Sequence, residues 1–536
     1  MRTSIFEFIS ENTKNAKIND AQQTNISEII KQSRKFKTEA GISEEININE
    51  FTTFISDETI ILESGHQPNY FPYSGVFKKA FLLNYICDKL KKNNKKSLAF
   101  FGFADQNLST SSNLYKNIIP GSNKYGVEKI GFNIEKKDKW KCFNHIEKPA
   151  YESWEKEIKK IEKIYSNTNF KFLQEILEIM WKSYESADNF SDLNAFIFSK
   201  ICMEIFNLKV YFFRYSDINK NNIFLEETKR LLNCLGRYNL EYNSAIINNH
   251  LNIREIETRE IPLWYHCSCG GKIPIKLTEN KTIFGICPAC KKSYNLPIEY
   301  NFKTIENYYH DMSFSAIARN LIFAEGFGTS IFVSGPGGGL KYGQISAKLA
   351  PVIGFNLPAA IVWKSKDYYP GKIQRMAIKN FKREYNLDEK LLLSPELYSE
   401  VLEKQNSFMN KIKDIESGIS HNIKNNKNFQ ANKGKLLNLR MNGQMTSKIF
   451  SSTPSFLDII MNVNSSEISD KWIAAIENNN AEQSSKAYHL KQDITYGDNR
   501  KWNFSSEKIP LLYHNLKNIP VIKIDKKHSG YQSTHR

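Results

Sequence analysis

The sequence predicts an α/β protein in which a single sheet is split by inserted material. Two observations carry this. A β-branched apolar run, a glycine turn and a helical pattern follow one another from residue 58, and the same order returns from residue 329. Between the two repeats lie a helical stretch and a cysteine-rich insertion. One interrupted sheet accounts for that order more economically than two separate domains. The chain has 536 residues, 41% hydrophobic and 13% aromatic. At roughly 150 residues per unit this suggests three or four structural units, with core enough to need no disulfide framework.

Residues 1–57 are polar, with amphipathic pieces such as Ile26-Ser-Glu-Ile-Ile-Lys31, and read as short helices capping something larger. Residues 58–149 hold the first half of the core. Glu58 to Ser64 is a short buried strand ending at Gly65, and Gly75 to Ile86 is the helix after it. Lys96 to Asp105 reads as a second strand with Asp105 at its C-terminal end, where ligands of open α/β sheets bind. Residues 150–261 are mainly helical, with one strand expected near Lys209–Ser216. The cysteine-rich insertion covers 262–297, and residues 298–393 hold the second half of the core. There, Thr329 to Gly335 is a strand, Gly335 to Gly339 a glycine loop, Gln344 to Ile353 a helix and Ala359 to Trp363 a strand.

The character changes near 394. Ser394-Pro395-Glu396 is a helix start, with an N-cap serine, a proline at the first helical position and an early acid. Leu397, Val401, Phe408, Ile412, Ile415 and Ile419 then recur at spacings of 4, 7, 4, 3 and 4. That stripe fits a helical hairpin or coiled-coil arm over 394–450, through which a homodimer could form. It equally fits an ordinary amphipathic helix on the core. Residues 451–536 form a mixed C-terminal region with a polar tail.

The charge balance is +17, from 74 Lys and Arg against 57 Asp and Glu. The lysines are spread over helices and loops rather than gathered in a stripe, so nucleic acid is a partner the sequence allows but does not favour. No apolar run of about 18 residues occurs, which argues against a membrane span. The acids Glu7 and Glu11 interrupt the apolar core that an export signal needs. With eight cysteines, four of them clustered, a reduced cytoplasmic setting is expected.

Those four cysteines form the most specific motif. Cys267-Ser-Cys269-Gly-Gly and Cys287-Pro-Ala-Cys290 are separated by seventeen residues that read as a hairpin. Paired cysteines on tight turns bring thiolates around one tetrahedral ion, so Cys267, Cys269, Cys287 and Cys290 are the expected ligands of a zinc ribbon. Four protein ligands leave no position for water, which makes the expected Zn2+ structural. The first pair is one residue shorter than the usual knuckle, and His266 is the alternative ligand.

Two glycine loops carry the remaining chemistry. Ser334, Gly335, Gly337, Gly338, Gly339 and Lys341 lie between a strand and a helix but match neither a Walker A loop nor a dinucleotide fingerprint. Their exposed backbone N–H groups and the Lys341 charge suit an anion, such as a nucleotide phosphate. The other loop, Ser64 to Gly75, gathers His66, Gln67 and Asn69 with several hydroxyls. These groups suit oxyanion stabilisation or acid–base work.

The motifs together resemble the bacillithiol synthase family, the cysteine-adding enzymes of bacillithiol biosynthesis. Ser64-Gly65-His66-Gln67 is similar to that family's Thr-Gly-Gln-Gln segment. Ser313 to Arg319, Phe332 to Gly337, Tyr342 to Ser346 and Gly354 to Pro358 follow its Ser/Arg segment, Gly-Pro-Gly loop and succeeding helix in order. The departures are Asp105-Gln106-Asn107 where the family has Asp-His-Asp, Gly338 where it has Glu, His66 for the first Gln, and the inserted ribbon. A shorter likeness to the opening motif of WbqC-like proteins covers His66 to Gly75 alone.

The resemblance implies a Rossmann-like split parallel sheet. It also implies a ligase that condenses an amino acid with a sugar-linked or carboxylate acceptor, with ATP or another nucleotide as a cofactor to be tested. It implies that His66 and Gln67 stabilise the reacting carboxyl group, that the glycine-loop amides hold an anion, and that Asp105 and Arg319 position the substrates. Two alternatives stay open. One is a transferase using an aminoacylated or nucleotide-activated substrate; the other is a catalytically dead, nucleic-acid-binding or scaffold homologue.

Overall fold

A computed structural model describes residues 5–43, 55–120, 127–166, 172–249, 251–335, 342–368, 455–477 and 489–498. The expected coiled-coil arm over 394–450, and Gly337, Gly338, Gly339 and Lys341 of the glycine loop, lie outside the described residues.

Thirteen strands are described in chain order. They are β1 (Ile60–His66), β2 (Ser97–Phe103), β3 (Lys116–Pro120), β4 (Val127–Gly131), β5 (Tyr211–Arg214), β6 (Glu260–His266), β7 (Lys272–Leu277), β8 (Thr282–Ile286), β9 (Ser293–Pro297), β10 (Met312–Phe314), β11 (Ile331–Ser334), β12 (Ala359–Tyr368) and β13 (His489–Asp498). The main sheet runs β13-β12-β11-β1-β2-β5. Five strands, from β12 to the edge strand β5, are parallel, and β13 pairs antiparallel along the other edge. Taken in chain order, those parallel strands stand third, second, first, fourth and fifth across the sheet, a Rossmann-like order.

Continuous apolar runs form the inner strands because helices cover both faces. Ile60, Ile61 and Leu62 of β1 and all seven residues of β2 are buried. The helix Ser74–Lys92 packs against β1, β2, β11 and β12. On the same side Trp472, from the helix Ser465–Ile476, stacks on Phe206 and meets Phe81 edge-on. The N-terminal region is more than a cap. Its helix Asp20–Glu39 opens with a capping box between Asn19 and Gln22 and packs on β5 and on the helix Ala316–Phe327. Phe36 of that helix stacks on Phe103.

The cysteine-rich insertion is a separate antiparallel sheet in the order β10-β6-β7-β8-β9. β7 and β8 form the hairpin expected between the cysteine pairs. The strand β10 adds to its edge and leads directly into the helix Ala316–Phe327 of the core, so the insertion is anchored at both ends.

Candidate functional site

Strand order reverses between β1 and β11, and both strands end in the glycine loops read from the sequence. The ladder itself brings them together, because Leu62 and Glu63 pair with Ile331 and Phe332. Ser64 Oγ then donates to the Val333 carbonyl at 2.6 Å. This is the switch point where open α/β sheets bind ligands.

Cations converge there. Lys79, on the helix after the first loop, is buried and donates to the Gly65 carbonyl at 3.0 Å. A Cβ built on Gly335 would lie 3.6 Å from Lys79 Cε, so this lysine touches both loops. Arg319 is half-buried in the first turn of its helix, with its guanidinium over the Tyr215 ring at 4.9 Å. Among the described residues its guanidinium has no hydrogen-bond or ion-pair partner. Burial, reinforced by the Arg319 charge, pulls Lys79 down to about 8. Two neighbouring cations without an ion-pair partner among the described residues favour an anion between them.

His66 closes β1, and its Nδ1 lies 2.9 Å from the Gln67 carbonyl. A carbonyl only accepts, so Nδ1 carries the proton and Nε2 the lone pair. Burial first, then the Lys79 charge, takes the imidazole down to about 3. The ring is therefore neutral near pH 7 and presents an acceptor. Asn69 is buried and its Oδ1 has no hydrogen-bond partner. Below the loop, Glu63 accepts from Thr329 Oγ1 at 2.9 Å, and burial raises its carboxyl to about 7.

Tyr215 separates this point from a second one. A Cβ on Gly65 would lie 1.9 Å from Tyr215 Oη, and one on Gly102 would lie 1.9 Å from its Cε1. Only glycine at these strand positions leaves room for the ring. Beyond it, at the ends of β2 and β5, a cavity of about 640 Å³ is lined by Asp105, Asp192, Arg214, Asp217 and neighbours. Asp105 belongs to this cavity and not to the His66 side. Its Oδ1 accepts from Ser216 N at 3.0 Å and its Oδ2 from Asn144 Nδ2 at 3.2 Å. The structure thus brings His66, Gln67, Asn69, Arg319, Ser334 and Gly335 to one end of the sheet and places Asp105 apart.

The cysteine cluster borders the same cavity through Cys267. Sγ atoms of Cys267, Cys269, Cys287 and Cys290 all lie within 4.8 Å of one another. The Cys267–Cys290 and Cys269–Cys287 separations are 3.5 and 3.6 Å. Tetrahedral zinc with Zn–S of about 2.3 Å needs sulfurs about 3.8 Å apart, so these four could hold such an ion. Tyr294 Oη donates to Cys267 Sγ at 3.0 Å. Burial pushes Cys267 up, but that bond and those from the Cys269 backbone and side chain outweigh it and bring the thiol to about 6. His266, the alternative ligand, turns away: its Nε2 meets Ser313 Oγ at 2.8 Å and its Nδ1 faces Gln106 Nε2 at 3.5 Å. No substitute is needed, because the short first knuckle still presents both of its sulfurs.

Sequence reasoning missed Lys79, Tyr215, Asn144 and Asp217. Lys79 left a signal, since Lys78-Lys79 interrupts an otherwise apolar helix start. The other three left none, for their roles depend on the strands they meet. Comparison with protein-family models and with curated proteins finds no match to this chain.

Proposed function

We propose that the chain is a ligase of the bacillithiol-synthase type, which joins an amine to a carboxyl group and holds its anionic partner at the switch point. The observation that carries this reading is that Lys79 bonds the Gly65 carbonyl and stands beside Gly335, close to Arg319, whose guanidinium has no hydrogen-bond or ion-pair partner among the described residues. Amide formation releases water and needs an activated carboxyl, so a nucleoside triphosphate is the expected co-substrate. Its phosphates, or the acyl phosphate they form, suit the two cations. His66 offers an acceptor, so it takes a hydrogen bond from an incoming N–H or O–H. Stabilising a negative carboxyl oxygen falls to Lys79 and Arg319. Cys267, Cys269, Cys287 and Cys290 would hold a structural zinc ion, which would fix the ribbon and so the wall of the neighbouring cavity.

The test is direct. The full chain, supplied with ATP, cysteine and glucosaminyl malate, should form an amide product detected by mass spectrometry. His66→Ala should lose turnover while circular dichroism and melting stay unchanged. Unaltered turnover in His66→Ala sinks the assignment.

A further inference from the structure

The cavity beyond Tyr215 has the opposite polarity to the switch point. The chain carries a net charge of +17, yet this cavity is lined by six carboxylates against four Lys and Arg side chains. Three of the carboxylates lie inside with Arg214, while Glu39, Asp188 and Asp311 share the rim with the lysines. Asp105, Asp192 and Asp217 are buried, whereas Lys35, Lys220 and Lys292 are exposed at the rim.

Most of the inner acceptors are taken. Asp105 is filled by Ser216 N and Asn144 Nδ2. Arg214 spends its fork on Asp192 Oδ1 through Nε and on Glu39 Oε2 through Nη1, both at 2.6 Å. Among the described residues two buried acceptors of this cavity are left over. Asp217 is 6% exposed, its Oδ2 has no hydrogen-bond partner, and Arg214 Nη1 stands 3.8 Å from it. Asn144 Oδ1 is buried and unpartnered too. Because the Asn144 amide nitrogen must face Asp105, its oxygen is held in that orientation. Unpaired acceptors of this kind cost stability unless a donor fills them.

We propose that this cavity binds a small zwitterion, its primary ammonium donating to Asp217 and Asn144 and its acidic end meeting the lysines of the rim. An ammonium has three donors and one positive charge, which matches two spread acceptors among carboxylates. A metal ion requires its ligand atoms to converge on one point. Among the described residues the one group of His, Cys, Asp or Glu that does so is the four-cysteine cluster. The site would supply the amine of the proposed ligase, and only this role rests on the ligase reading; the binding itself does not.

Ligand-observed NMR and calorimetry on the full chain test it with two probe sets. One is the common α-amino acids; the other is the series glycine, β-alanine, 4-aminobutanoate and 6-aminohexanoate. Each binder is then compared with its decarboxylated amine and its deaminated acid. The expected result is millimolar or tighter binding of at least one zwitterion, with the deaminated acid weaker by about tenfold or more. Asp217→Asn should weaken it by a similar factor. Should that variant fold poorly, Lys220→Glu, at an exposed position, should weaken the zwitterion and leave the decarboxylated amine unchanged. Absence of any binder, equal binding of the deaminated acid, or preference for a diamine such as putrescine overturns the proposal. Zwitterion binding by the unaltered chain that yields no ligation product with ATP and a carboxylate partner would reject the ligase reading and leave this site standing.

Discussion

The two sides of Tyr215 share one edge of one sheet and carry opposite charge. At the ends of β1 and β11, Lys79 and Arg319 stand together, and among the described residues neither forms an ion pair with a carboxylate, Glu63 acting on Arg319 only through its field. At the ends of β2 and β5, carboxylates outnumber cations although the whole chain is basic. Net charge therefore says nothing about either site. What differs is which side chains the strand order brings together, with the Tyr215 ring filling the space between the two sets. In a low-dielectric interior that separation matters more than the summed charge of the surface.

The largest effect should come from removing the partition's footing. Gly102→Val would drive its side chain into the Tyr215 ring. Overpacking of this kind costs roughly 1–3 kcal/mol or more, read as a lowered denaturation midpoint, and anion and zwitterion binding should fall together. If only one falls, Tyr215 does not serve both sides. Metal removal comes next. The purified chain should carry one zinc per molecule by elemental analysis, and chelation should lower its melting temperature and weaken zwitterion binding, because Cys267 lines the cavity. Anion binding at the switch point should be little changed, and a zinc-free protein that melts identically would contradict the metal site.

Arg319→Ala then isolates the cationic side. Losing a charge-assisted hydrogen bond of about 1.5–3 kcal/mol should weaken pyrophosphate or ATP binding by roughly tenfold or more in calorimetry. Arg319→Lys should recover part of the loss. The smallest effect is a pH dependence. Lys79 titrates near 8, because burial and Arg319 lower it from 10.5. Anion affinity should be full below pH 8 and decline as pH rises through it, while the charge is lost. The same depressed value means that the unfolded chain binds the extra proton between pH 8 and 10.5, so the Lys79 contribution to stability rises with pH over that window. An anion affinity flat from pH 7 to 9.5 would remove Lys79 from the site.

Much of the fold was legible because its signals are local. The run Ile60-Ile-Leu and the apolar helix that follows read as a strand and a helix from their own residues. The β7–β8 hairpin was legible between its cysteine pairs for the same reason. Gly65, expected to end the strand, instead lies inside it and pairs with Gly102, because Tyr215 needs the space of a missing side chain. Site residues were less so. His66, Ser334 and Gly335 stood out by type and spacing, whereas Lys79 and Asp217 look like ordinary helical charges until their neighbours are known. Asp105 shows the limit from the other side: its position at a strand end was readable, but not that Tyr215 would part it from His66.

The sequence by itself determined the main core strands and helices and the grouping of the four sulfurs, because each depends on residues a few positions apart. Only the tertiary structure decided that β1 lies between β2 and β11. That order results from packing apolar strands under helices drawn from distant parts of the chain. The sign of each pocket follows from it, since Lys79 meets Arg319, and Asp105 meets Asp217, across sequence separations that no local pattern encodes.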